Sequence, residues 1–136
     1  MPVNVADWPL PVNLTAGSLG PPEHENAHDD IHDVLNNTAN VQAGTAYTLA
    51  LADFGHIIET TSSSAVTVTV PPNASVAFPA GTVVEVCQLG AGQVTVAQGA
   101  GVTIRSPASL VLRAQFSTVS LRKRATDEWV LAGDVV

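Results

Sequence analysis

From about residue 45 to the C-terminus, short runs rich in Val and Thr alternate with turn signals, so that strands recur roughly every ten residues. Nothing constrains the fold more than this rhythm. The clearest run, Ala65-Val66-Thr67-Val68-Thr69-Val70, alternates apolar and polar side chains with the two-residue period of a half-buried strand, and Pro71-Pro72-Asn73 stops it. Residues 45–51 alternate as well. Asp53 and Gly55 then mark a turn, and residues 56–60 can return. Residues 82–89 and 93–97 flank Gly90-Ala91-Gly92, the signal of a three-residue hairpin loop. Gly99-Ala100-Gly101 turns the chain into residues 102–105, and 110–112, 116–122 and 129–131 complete the series. With aromatic residues at 4% and charged residues at 12%, β-branched side chains carry the packing and long Leu/Glu/Lys-rich helices are excluded. The expectation is a mainly β chain, with a small antiparallel β-sandwich or barrel over residues 45–136.

The first third reads differently. Residues 1–22 hold Pro2, Pro9, Pro11, Pro21 and Pro22, a density that blocks helix and disfavours a central strand. They also hold Trp8, Leu10, Val12, Leu14 and Leu19, too many apolar side chains for a solvated linker. An extended arm that binds a partner subunit through these five residues is expected. Residues 23–37 read as one short α-helix, with Glu23 and Glu25 complementing its N-terminal dipole. Its narrow stripe of Ala27, Ile31, Val34 and Leu35 is marginal alone and suits packing between identical copies, as in a homotrimer. Residues 38–44 read as a linker.

Charge narrows the partners. The net charge is −7, with all five cations (Arg105, Arg113, Arg122, Lys123, Arg124) in the last third, so no cluster large enough for a nucleic-acid interface exists. The sequence has no predominantly apolar stretch of membrane-spanning length.

Several motifs invite a catalytic reading. His24-Glu25-Asn26-Ala27-His28 matches the HExxH pattern, in which two histidines one turn apart hold zinc and the glutamate acts as base. His32 extends the same face. A zincin helix is buried beside a substrate cleft, whereas this one follows a proline-rich arm and carries Asp29 and Asp30. His24, His28 and His32 are therefore weak metal candidates, at most a site shared about a symmetry axis, and no cofactor is expected. Cys87 lies in an apolar strand-like run and reads as a buried, inert thiol. Gly-x-Ser-x-Gly is absent. Arg122-Lys123-Arg124 reads as an exposed strand end.

Two stretches carry a resemblance. Val66-Thr67-Val68-Thr69-Val70-Pro71, Phe78-Pro79-Ala80-Gly81-Thr82-Val83-Val84-Glu85-Val86-Cys87-Gln88-Leu89-Gly90-Ala91-Gly92-Gln93-Val94-Thr95-Val96 and the continuation through Leu121-Arg122-Lys123-Arg124-Ala125-Thr126-Asp127-Glu128-Trp129-Val130-Leu131-Ala132-Gly133-Asp134 resemble a β module of tailed-bacteriophage structural proteins. The histidine-bearing segment resembles the short helix that often precedes such modules. The resemblance implies a non-enzymatic, usually trimeric virion component and carries over no catalytic residue. It leads to the expectation of a capsid decoration (cement) protein on the capsid exterior. Its partners would be the major capsid protein and further copies of itself, and assembly would take place in the host cytoplasm. The alternative is a minor tail or tail-fibre component for host adhesion.

Overall fold

The computed structural model describes residues 39–136, which form nine strands and no α-helix. These are β1 (Asn40–Gln42), β2 (Ala46–Thr48), β3 (Ile57–Thr60), β4 (Val66–Val70), β5 (Val83–Gln88), β6 (Val94–Gln98), β7 (Thr103–Arg105), β8 (Thr118–Ala125) and β9 (Glu128–Gly133). A 3-10 turn, Leu51–Asp53, separates β2 from β3. The strands make a six-stranded sheet ordered β1-β3-β5-β8-β9-β7 and a three-stranded sheet ordered β2-β4-β6. The mainly β architecture is thus as the sequence predicts. The expected arm (1–22) and helix (23–37) lie outside the described residues.

The direction of pairing differs from the antiparallel expectation. Up to β6 the chain alternates between the two sheets, and each strand pairs in parallel with the strand two before it. β1 with β2, β3 with β4, and β5 with β6 are therefore three rungs of a short two-sheet parallel solenoid. Only β5–β8 and β8–β9 are antiparallel, and β7 joins β9 in parallel. Neither expected early turn-back forms, because β2 and β3 belong to different sheets and so do β5 and β6. Period-two alternation is common to both pairing directions, so it cannot tell a hairpin from a corner. The sheet also starts earlier than expected: β1 falls inside residues 38–44, where one valine between Asn40 and Gln42 gives no periodic signal.

The corners explain the glycines. A Cβ at Gly90 would collide with the carbonyl oxygens of Ser62 and Thr61, and one at Gly92 with the Ser64 carbonyl. The 90–92 corner therefore stacks backbone to backbone on the corner of the rung beneath, an approach only glycine allows. Two glutamines staple corners, Gln88 from the buried side and Gln98 from the exposed end of β6. Gln88 Oε1 accepts from the Val94 amide at 3.2 Å, and Gln98 Oε1 accepts from the Ile104 amide at 2.8 Å.

Alternation also fixes the core. Ile58, Val86 and Val119 lie side by side on the inner face of the large sheet, as do Val84, Leu121 and Leu131. Val66 with Val94 and Val68 with Val96 face them from the small sheet. All are buried in one cluster with Phe78, whose ring meets Trp129 edge-on at 5.5 Å. The expected strand at 110–112 is reduced to isolated bridges, but it still covers the free edge of β6. Val96 N–H donates to Leu110 O at 2.8 Å, and Leu112 N–H to Val94 O at 2.9 Å.

Candidate functional site

The parity that buries one face of the six-stranded sheet turns the other outward. Its rows run Val41–Glu59–Cys87–Thr118, Ile57–Glu85–Ser120–Ala132 and Val83–Arg122–Val130–Arg105. Val41 is 57% exposed and Val83 is also exposed. The turn bearing exposed Leu51 and Phe54 abuts the start of β5, with Gly55 N–H donating to Val83 O at 3.0 Å. Three charges of this face enter no ion pair among the described residues: Glu59 on β3, Glu85 on β5, which accepts from the Ser120 hydroxyl, and Arg122 on β8. Arg105 and Arg124 converge instead on Glu128, at 3.4 and 3.0 Å.

Cys87 is half-buried on this outer face, not sealed in the core as expected. In a strand reading Val83-Val84-Glu85-Val86-Cys87, inward Val84 and Val86 force Cys87 to the side of Glu85. The small sheet's outer face is free of charge. Thr67 stands beside Thr95 there, and Thr48 beside Thr69.

At one end of the large sheet a loop displays Phe116, 70% exposed, with φ of 70°. A bulky residue in the left-handed region costs on the order of 1–3 kcal/mol, so the surroundings must impose it. They do. Phe116 N–H donates to Gln88 O at 2.6 Å, and the Gln115 side chain donates to Leu89 O at 2.7 Å. Ser117 Oγ accepts from Ala114 N–H at 3.1 Å and donates to Asp134 Oδ2 at 2.6 Å, while Arg113 pairs with Asp134 at 2.7 Å. The ring is thus presented to solvent on a braced backbone. Sequence reading placed Phe116 at the start of a strand, since no glycine marks the left-handed position.

Among the described residues two charged side chains are buried. Asp53, 2% exposed, accepts from Tyr47 Oη, Asn40 Nδ2 and Ala50 N–H at 2.8, 2.8 and 2.7 Å. Lys123, 4% exposed, corrects the reading of Arg122-Lys123-Arg124 as an exposed strand end. Only its neighbours point outward, and Lys123 turns in to reach Asn73 and the Phe78 carbonyl.

The metal candidates His24, His28 and His32, the arm residues Trp8, Leu10, Val12, Leu14 and Leu19, and the stripe Ala27, Ile31, Val34 and Leu35 lie outside the described residues. Among the described residues no group of three or more His, Cys, Asp or Glu side chains is arranged to hold a metal, and no helix is long and apolar enough to cross a membrane. Comparison with family models, with curated proteins and with solved structures finds no match.

Proposed function

We propose that this chain is a non-enzymatic virion structural protein that decorates the outer capsid as a homotrimer and stabilises the shell. The resemblance of its β module to phage structural proteins motivates the reading, and Phe116 is the observation that carries it. An aromatic ring braced in a costly backbone conformation and turned to solvent suits a protein-contact anchor, because its ordering cost is met before a partner arrives. The apolar outer face around Val41 and Val83 supplies further contact area. Binding the assembled lattice in preference to dissociated subunits shifts the equilibrium towards the shell by mass action.

Co-sedimentation with purified capsids lacking the protein tests this. The wild-type chain should saturate the particles and raise their disruption temperature, and Phe116→Ser should weaken binding by about tenfold or more. A folded wild-type chain that ignores capsids but co-sediments with tails would instead establish the tail-component alternative.

A further inference from the structure

Lys123 is the sole buried cation among the described residues, and it has no anionic partner. Its Nζ lies 2.5 Å from Asn73 Oδ1 and 2.7 Å from the Phe78 carbonyl oxygen. Both acceptors are neutral. In register it sits opposite Trp129, which is itself buried and meets the Phe78 ring edge-on. An ammonium buried across the strand pair from Trp129, with two neutral carbonyl oxygens as its acceptors, is a costly arrangement. Asn73 is held to it from the other side, because the Asn73 backbone N–H donates to Asp127 Oδ1 at 2.6 Å. A carbonyl bond length of about 1.2 Å puts Nζ within about 3.7 Å of Asn73 Cγ, close to the separation of a near-attack pair.

We propose that Lys123 and Asn73 join in an intramolecular isopeptide bond. The amine first gives up its ammonium proton to solvent. Its lone pair then attacks Asn73 Cγ, forming the Nζ–Cγ bond while the carbonyl electrons move onto Oδ1. A proton passes from Nζ to Nδ2, the carbonyl re-forms, and the Cγ–Nδ2 bond breaks to release ammonia. Lysine amine and asparagine amide become one secondary amide and one ammonia, with no oxidation or reduction. The Phe78 carbonyl, accepting from Nζ, aims the amine. Asp127 is a positioning residue that fixes Asn73 through its backbone. The reaction replaces a buried cation with a neutral amide, and it ties the loop after β4 to β8, one from each sheet.

Intact-mass spectrometry on the folded full-length chain tests the bond. Once processing of the initiator methionine is accounted for, the wild type should be lighter than its sequence by one ammonia. Proteolysis should yield a branched peptide joining the segments that contain Asn73 and Lys123. Lys123→Arg and Asn73→Ala should each restore the full sequence mass, and Asp127→Ala should give a mixture whose lighter fraction grows with time. Should those variants fail to fold, the wild-type mass and branched peptide decide alone. A folded wild type at full sequence mass would overturn the proposal. So would loss of ammonia without a branched peptide, the signature of a succinimide at Asn73.

Discussion

The Tyr47 hydroxyl donates to Asp53 Oδ2 across 2.8 Å, joining β2 to the 3-10 turn that follows it. Asn40 of β1 donates to both the Tyr47 oxygen and Asp53 Oδ1, each at 2.8 Å, so both strands of the first rung are tied to one carboxylate. Replacing Asp53 with Ala leaves three donors without their acceptor. With about 1–3 kcal/mol for each group left unsatisfied, a loss of roughly 3 kcal/mol or more is expected. Urea unfolding should show a lower midpoint at unchanged slope. Asp53→Asn, which keeps the acceptor oxygen, should lose less.

The same pair sets an alkaline limit. Burial, reinforced by the hydrogen bond to the Asp53 carboxylate and its charge, raises the Tyr47 pKa above its ordinary 10.0. A raised pKa favours the protonated form in the native state. The associated stability is therefore complete below the unfolded value and declines as pH climbs from there towards the folded value. Thermal unfolding followed across that alkaline range should show the decline, and Tyr47→Phe should reduce its pH dependence.

At acid pH the sign reverses. The Ser117 hydroxyl, then the Arg113 guanidinium, hold the Asp134 carboxyl below its usual range. A depressed pKa contributes stability above the unfolded value, and that contribution disappears as pH falls through the folded one. The melting temperature of Asp134→Asn should therefore change less than that of the wild type on acidification. Its Phe116 loop should also exchange amide hydrogens faster at neutral pH.

Gly92→Ala should be severe, because the new methyl meets the fixed Ser64 carbonyl rather than a movable side chain. Displacing that corner disturbs the stacking of the second and third rungs, and a loss above about 4 kcal/mol or failure to fold is expected. At Gly101 the space is open and φ is +76°, so alanine there should cost only about 1 kcal/mol of backbone strain. Circular dichroism melts of the two variants make the comparison.

Phe116→Gly separates stability from adhesion. Glycine accepts φ of 70° without a Cβ penalty, so the variant should match or exceed the wild type in stability, offset in part by unfolded-state entropy. Its capsid binding should nevertheless fall by about tenfold or more. Equal binding by the two proteins would remove Phe116 from the contact.

The strands were most legible in the long core runs, whereas the alternation of residues 45–51 yields only the three-residue β2 before a 3-10 turn. Val66–Val70 and Val83–Gln88 fall within a residue of the expected runs. The path between them was not legible, since the decisive fact is the close approach of the backbone at Gly90 and Gly92 to the 61–64 corner, which leaves no room for a Cβ. The candidate site was less legible still. Phe116 carries no local mark of a left-handed backbone, and Lys123 hides between two arginines that look alike on paper. Its inward turn follows from parity alone, once Leu121 is known to face the core.

The strand order β1-β3-β5-β8-β9-β7 has a consequence for synthesis. β7 is translated before either β8 or β9, yet its partner is β9, and β5 gains its second neighbour only when β8 arrives. While a ribosome is reading codons up to about 117, the nascent chain carries a bare β5 edge and a β7 with nothing to pair to. The large sheet closes only when residues 128–133 emerge and slot between strands already made. Its final assembly is therefore a late insertion rather than a growing stack. A ribosome stalled before that point would hold out an uncovered strand edge, which is a substrate for chaperones and a template for aggregation.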